Sequence, residues 1–354
     1  MADKVLMKGN EALAEAAMCA GCRHFFGYPI TPQTEISAYL SKHMPKVGGT
    51  FLQAESEVAA INMVLGAAAA GVRVMTSSSS PGISLKSEGI SYIAGCDLPA
   101  VIVNVQRGGP GLGGIQPSQA DYYQATRGLG HGDFHMIVLA PSTVQEVIDL
   151  TFEAFDLADL YRMPVLMLSD GILGQMMEPA SFPEGTGRTL PEKDWAVTGT
   201  QGKRKKNIVN SLYLQPDELE RKVMERYERY DAIKKTEQKC ERFMMDDAEY
   251  VVVAYGASAR VAKNAIVAAR AEGMKVGMIR PITLWPFPVD AIREATEQAK
   301  AFLTVELSMG QMIDDVRLAC ECKKPVHLCN RTGGMIVKPQ EVLAKLKEIS
   351  GGAK

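Results

Sequence analysis

From residue 11 to about residue 171 the chain alternates two hydrophobic rhythms, and this alternation constrains the fold more than any other feature of the sequence. Apolar residues recur with helical spacing at 10–20, 32–41, 56–70, 82–94, 118–126 and 143–160. Between these stretches lie short apolar runs that end in small or polar residues, at 24–27, 50–53, 73–76, 100–105, 136–139 and 164–168. Strands of this length alternating with helices predict a doubly wound α/β domain. In such a fold ligands bind in the loops beyond the carboxyl ends of the strands. Those loops are 28–31, 54–57, 77–82, 106–116 and 170–174.

The composition changes over residues 181–247. A basic run from Lys203 to Lys206 precedes a strongly charged stretch at 216–246, in which acidic and basic residues interleave. This pattern predicts a wrapping connector followed by a solvated, charged helix rather than a nucleic-acid or membrane segment. A second α/β unit follows, with strands at 250–255, 275–279 and 301–305, a small-residue turn at Gly256-Ala257-Ser258, and helices at 259–272 and 288–299. The expected division is therefore 1–180, 181–247 and 248–354.

With 354 residues, 39 Lys plus Arg against 41 Asp plus Glu, and a formal net charge of -2, the chain has no general attraction for phosphate backbones or anionic bilayers. No run of about 18 apolar residues occurs, and the first ten residues lack an apolar signal core. Seven cysteines over this length fit reduced thiols better than a disulfide framework. The expectation is a soluble cytoplasmic protein that binds neither nucleic acid nor membrane.

Several loops carry residues able to do chemistry. In Gly27-Tyr28-Pro29-Ile30-Thr31-Pro32 two prolines fix the position of the Thr31 hydroxyl. Thr31 can orient a ligand or merely cap the helix that Pro32 opens. Glu57 enters a nearly apolar helix, where the helix dipole alone accounts for a carboxylate. Half buried there, it would also be suited to share a proton with a heteroaromatic nitrogen. Ser77 to Ser80, before Pro81-Gly82, offer hydroxyls and amides at a helix entrance, or simply a local hydrogen-bonding turn. The loop Arg107 to Gly114 lacks the Lys-Ser/Thr end of a phosphate-binding loop and reads as a flexible cover that begins with a carboxylate-gripping guanidinium.

Two cysteine patterns point away from redox or metal chemistry. Cys19 and Cys22 have redox spacing but sit at a predicted helix end, where the dipole raises a thiol pKa. Cys320 and Cys322 fall in a predicted helix that would send their thiols to different faces, away from a shared metal with His327 and Cys329.

Taken together and in order, these motifs resemble the alpha subunit of 2-oxoacid:ferredoxin oxidoreductases, nearest to the 2-oxoisovalerate, or branched-chain, group. The resemblance rests on Tyr28-Pro29-Ile30-Thr31-Pro32, Glu55-Ser56-Glu57, Ser79-Ser80-Pro81-Gly82 with Ser87-Glu88-Gly89, and Val105-Gln106-Arg107-Gly108-Gly109-Pro110. It continues through Gly130-His131-Gly132-Asp133, residues 164–170, and the run from Arg280 to Pro288. It implies a pyrimidine-type thiamine diphosphate-binding domain followed by a domain like the carboxyl-terminal domain of transketolases.

By the resemblance, Glu57 contacts the aminopyrimidine of thiamine diphosphate, with Glu55 a second acid nearby. Tyr28, Pro29, Ile30, Ser79 and Ser80 complete the cofactor-binding set, and Thr31 and Arg107 face the substrate. The implied reaction is the coenzyme A-dependent oxidative decarboxylation of a 2-oxoacid, with electrons passing to ferredoxin. No Gly-Asp-Gly segment with paired Asn follows in the sequence, and no cysteine run suits an iron-sulfur cluster. The diphosphate and its Mg2+ therefore fall to a beta subunit, and the iron-sulfur clusters to gamma and ferredoxin-like delta subunits, with this chain inactive alone.

The loop Gly111-Leu112-Gly113-Gly114-Ile115-Gln116-Pro117 differs from the threonine-rich version associated with 2-oxoglutarate enzymes and favours an apolar substrate such as 3-methyl-2-oxobutanoate. The alternatives are a 2-oxoglutarate-specific alpha subunit, the pyrimidine-domain subunit of a lipoamide-linked dehydrogenase, and a noncatalytic nucleotide-binding module.

Overall fold

The computed structural model describes residues 4–351. The outermost residues of the expected units, 1–3 and 352–354, lie outside the described residues. In chain order the first half contains β1 (Val5–Lys8), α1 (Gly9–Cys19), β2 (His24–Gly27), α2 (Thr34–His43), β3 (Thr50–Gln53), α3 (Glu57–Ala69), β4 (Val74–Ser78), α4 (Ser80–Gly95), β5 (Ala100–Gln106), β6 (Ile137–Leu139), α5 (Val144–Tyr161), β7 (Pro164–Asp170), α6 (Gly171–Gln175) and β8 (Met177–Ala180). The remainder adds α7 (Pro216–Thr236), β9 (Cys240–Phe243), β10 (Tyr250–Ala254), α8 (Gly256–Ala271), β11 (Val276–Pro281), β12 (Thr283–Trp285), α9 (Val289–Gln298), β13 (Ala301–Glu306), α10 (Met312–Ala319), β14 (Val326–Asn330) and α11 (Pro339–Ile349).

The first sheet has seven strands in the order β12-β6-β7-β5-β4-β2-β3. All neighbours run parallel except β12, which pairs antiparallel with β6. Every residue of β4, β5 and β7 is buried, as strands covered by helices on both faces must be. Between β2 and β4 the winding reverses, because β3 lies on one side of β2 and β4 on the other. The chains leaving these strands diverge there, and such a switch point leaves a crevice at the carboxyl ends.

The second sheet, β14-β13-β10-β11-β9, is parallel apart from its antiparallel edge strand β9. The first ligand-bearing domain is thus doubly wound, and the second is a smaller α/β layer.

Four expectations are corrected. Residues 118–126 do not form an α-helix; only the single π turn Gln124–Gly128 closes there. The side chains of this segment are committed elsewhere. Gln119 Nε2 donates to Tyr255 O at 2.9 Å, Leu307 N donates to Gln119 Oε1 at 3.0 Å, and Tyr122 Oη donates to Asp315 Oδ2 at 2.5 Å. Bonds to the second unit thus override the local periodicity.

The charged stretch at 216–246 is not all helix, since β9 inside it joins the second sheet. Gly256-Ala257-Ser258 is the first turn of α8 rather than a separate turn. Cys320 caps the end of α10, and Cys322 lies beyond it at φ 54°, so this pair is not within a helix.

Besides β9, four strands were not expected at all. β1 pairs with β8 as a small outer ribbon, β12 returns from the second unit to extend the first sheet, and β14 forms the far edge of the second.

Candidate active site

Ser56 ends the extended chain after β3, and its Oγ accepts from Ala59 N at 3.1 Å, which fixes the start of α3. Glu57 is then the first helical residue and is 6% exposed, whereas Glu55 stands outside the cap and is exposed. Among the described residues the Glu57 carboxyl accepts no hydrogen bond. It lies against the first turn of α4, where Gly82 leaves room for it. A Cβ on Gly82 would stand 2.8 Å from Glu57 Oε1 and 2.1 Å from Ser78 Oγ. The absent side chain is what lets the carboxyl and the hydroxyl converge.

The end of β4 divides its serines between two tasks. Ser77 Oγ donates to Gln33 Oε1 at 2.6 Å, and Gln33 Nε2 donates to Tyr28 O at 3.2 Å, which bolts the Tyr28-Pro29-Ile30 turn to the sheet. Ser80 Oγ lies 2.5 Å from Asp121 Oδ2 and accepts from Arg107 N at 3.0 Å, fastening α4 to the exit of β5. Burial pushes the Asp121 carboxyl above its usual range, with Ser80 and Asn104 pulling the other way. Ser78 Oγ and Ser79 Oγ are buried and have no partner among the described residues. A dry hydroxyl left unbonded costs about 1–3 kcal/mol, and Ser78 Oγ, which converges with Glu57 over Gly82, marks a place where polar atoms of a ligand belong.

Arg107 joins the turn after β2 to the glycine loop. Its guanidinium donates to Thr31 O at 3.0 Å and to Leu112 O at 3.2 Å, and its buried Nε has no partner. The Thr31 side chain is exposed beside a hollow of about 400 Å³ lined also by Pro32, Ile115, Gln116 and Gly171. Thr31 and Arg107 are therefore adjacent, and Glu57, Ser78 and Gly82 meet in a separate cluster between α3 and α4.

His131 is not among them. It lines a separate hollow with Tyr92, Tyr213 and Arg226, and its Nδ1 lies 3.3 Å from Ser91 Oγ.

Lys86 was not expected here. It is wholly buried one turn beyond Gly82, and its Nζ donates to Thr76 Oγ1 at 2.6 Å and to Ser77 O at 3.1 Å. Burial pulls the amine down to about 7, while the nearby Glu57 raises it. Its position was legible: Ile83, Lys86, Ile90 and Ile93 share one helical stripe, all buried.

The thiols are inert by comparison. Burial pushes Cys22 up to about 12, and burial together with Glu15 raises Cys19. Among the described residues no three His, Cys, Asp or Glu side chains gather as metal ligands, and no helix is long and apolar enough to cross a membrane.

A carboxyl facing orphaned hydroxyls over a side-chain-free glycine suits an aminopyrimidine, which offers both donors and acceptors along one edge. The comparisons place the chain in a cofactor-binding family. Residues 15–246 match the family described as pyruvate flavodoxin/ferredoxin oxidoreductase, thiamine diphosphate-binding, and residues 248–342 match pyruvate:ferredoxin oxidoreductase core domain II.

The chain is 54% identical to the ketoisovalerate oxidoreductase subunit VorB of Methanothermobacter marburgensis over 98% of both sequences. The solved 2-oxoglutarate:ferredoxin oxidoreductase from Magnetococcus marinus superposes with a TM-score of 0.87 at 28% identity, over 98% of this chain and 65% of that one. A split-gene transketolase shares the fold, with a TM-score of 0.60 at 14% identity over 97% of both chains. The second unit is accordingly of the transketolase carboxyl-terminal kind, and the chain belongs to the pyruvate flavodoxin/ferredoxin oxidoreductase family of thiamine diphosphate-binding proteins.

Proposed function

We propose that this chain is the subunit of a 2-oxoacid:ferredoxin oxidoreductase that holds the aminopyrimidine of thiamine diphosphate, and that its substrate is 3-methyl-2-oxobutanoate or a related branched-chain 2-oxoacid. The observation that carries the reading is Glu57, a buried carboxyl with no hydrogen bond, set over Gly82 beside the unbonded Ser78 and Ser79 hydroxyls. When bound, the cofactor supplies an electron sink for decarboxylation.

This chain's residues do the rest. Glu57 hydrogen-bonds the ring, and Ser79 and the Tyr28-Pro29-Ile30 turn confine it. Ser80 shapes the pocket through its bonds to Asp121 and Arg107. Arg107 grips the substrate carboxylate through its guanidinium, and Thr31 orients the neighbouring keto group.

In this reading, residues 1–180 form the ring-binding domain, 181–247 the connector, and 248–354 the domain that buttresses it. A beta subunit holds the diphosphate and its Mg2+, gamma and ferredoxin-like delta subunits carry the iron-sulfur clusters, and coenzyme A receives the acyl group. The setting is the cytoplasm, where seven thiols stay reduced.

The branched-chain assignment draws on the 54% identity to a ketoisovalerate oxidoreductase subunit and on exposed Leu112 and Ile115 at the mouth. The test is coenzyme A-dependent viologen reduction by the complex assembled with its co-purifying subunits, using a panel of 2-oxoacids. The highest kcat/KM is expected for 3-methyl-2-oxobutanoate, and a preference for 2-oxoglutarate would refute the substrate. Glu57→Gln is expected to lower kcat by about 100-fold or more at saturating cofactor, with Glu55→Gln close to wild type. Unchanged turnover in the former would remove Glu57 from its role.

A further inference from the structure

The peptide of Arg107 is gripped by one side chain. Ser80 Oγ accepts from Arg107 N at 3.0 Å and lies 3.2 Å from Arg107 O. A hydroxyl has a single hydrogen and two lone pairs, so it cannot serve every neighbour as a donor. Its hydrogen is claimed by Asp121 Oδ2 at 2.5 Å, a charge-assisted bond much shorter than the contact to Arg107 O. With the hydrogen turned to Asp121, a lone pair is left to face Arg107 N. Without Asp121 that hydrogen turns to Arg107 O, and the hydroxyl loses the partner that fixes its rotamer.

Asp121 is itself held by both units of the molecule. Its Oδ2 also accepts from Asn104 Nδ2 at 2.9 Å, and Asn104 Oδ1 accepts from Ser80 N at 3.1 Å, which closes a triangle of three side chains. The Asp121 amide donates to Gln106 Oε1 at 3.2 Å. Asn104 and Gln106 are buried residues of β5, the strand from which Arg107 emerges. The flanking peptides are tied to the second unit. Gln119 N donates to Leu307 O at 2.9 Å, Gln311 Nε2 donates to Ala120 O at 2.8 Å, and Tyr123 N donates to Gln311 Oε1 at 2.8 Å. The carboxylate is thus aimed, from a fixed backbone, at the one hydroxyl that sets the root of Arg107. The tip of that arginine is tethered separately, on Thr31 O and Leu112 O.

We propose that Asp121 is a positioning residue for the substrate carboxylate: it holds the Ser80 hydroxyl as the acceptor for Arg107 N and so sets where the Arg107 guanidinium meets a 2-oxoacid. The inference rests on the reading of Arg107 as the carboxylate-gripping group. The effect of Asp121 passes through Ser80 to Arg107 and ends there.

The experiment is steady-state kinetics of the complex assembled with its co-purifying subunits, varying 3-methyl-2-oxobutanoate at saturating coenzyme A and viologen. Asp121→Ala is expected to raise KM for the 2-oxoacid about tenfold with kcat within about threefold, the pattern of lost substrate binding. Affinity for thiamine diphosphate, read by titration, is expected to stay within about twofold, whereas general loosening of the pocket would lower it. Asp121→Asn keeps an oxygen that can accept from Ser80 and Asn104 and is expected to restore KM to within about threefold of wild type. Arg107→Ala is expected to raise KM by about 100-fold, and adding Asp121→Ala to it should change KM by less than about twofold, because the grip that Asp121 served is gone. If Asp121→Ala does not assemble, Ser80→Ala takes its place in the same cycle. A wild-type KM in Asp121→Ala, no rescue by Asn, a weakened cofactor, or a further tenfold rise in the double variant would each overturn the proposal. An unchanged KM in Arg107→Ala would instead overturn the reading of Arg107 on which it rests.

Discussion

At Gly82 a single hydrogen atom in place of a methyl group decides whether the site exists. Gly82→Ala would put a Cβ 2.1 Å from Ser78 Oγ and 2.8 Å from Glu57 Oε1, both at the ends of side chains that can rotate away. The helix gains up to about 1 kcal/mol in propensity, so thermal unfolding should change little. Thiamine diphosphate affinity, read by titration of the complex, should fall by about tenfold or more, because in the proposed site the displaced groups receive the ring.

Lys86 makes a second prediction at this scale. In the folded protein burial holds its amine at about 7, whereas the unfolded chain keeps the proton to roughly 10.4. Between these values the unfolded state binds more protons, so stability rises with pH, and the penalty is present in full below pH 7. Chemical denaturation of wild type should show this rise from pH 7 to 9, and Lys86→Met should lose it. A parallel pH dependence in the two proteins would contradict the burial argument. Of these residues, Glu57 came forward only through the family resemblance, because spacing alone is equally explained by a carboxylate favoured by the helix dipole. Whether it or Glu55 turns inward depends on Ser56 as the cap, which only the backbone fixes. Lys86 was passed over because one charge on an apolar stripe looks like a break in the pattern rather than part of a site.

Local pattern and tertiary bonding compete most openly in the segment from Ser118 to Gly128. Its periodicity reads as a helix, yet Gln119 is drawn out to serve Tyr255, Ser258 and Leu307 at once. Gln119→Ala strands Tyr255 O and Leu307 N in a buried setting at about 1–3 kcal/mol per group, less whatever water can recover. A drop in the denaturation midpoint of that order is expected, and a shift below about 0.5 kcal/mol would show the segment to be a passive connection. The central strands were readable from sequence because a fully buried parallel strand is a continuous apolar run. β9 and β12 were not, since an edge strand of three or four residues carries too little pattern to separate from a charged helix end or a proline-rich turn.

For the whole molecule, the division into two units is a matter of sheets more than of sequence. β12, encoded after β11 of the second sheet, completes the first by pairing with β6, and Ala140 N donates to Ile282 O beside it at 2.8 Å. Arg280, 2% exposed just before it, is held by Glu146 of α5 at 2.5 Å and by Glu241 of β9 at 2.6 Å. Hydrogen exchange should therefore report β12 amides opening with β6 and β7. Exchange in step with β10 and β13 would mean that the strand belongs energetically to the other sheet.

A chain that hands a strand back across its own boundary, and locks the return with a buried guanidinium, cannot swing its halves apart like jaws. Any gating of the pocket during turnover falls to the glycine ribbon between Gly108 and Gly114. That ribbon is held by Arg107 on Leu112 O and closed by Gly114 N donating to Gly108 O at 2.9 Å, so opening it breaks a few local hydrogen bonds rather than moving a domain.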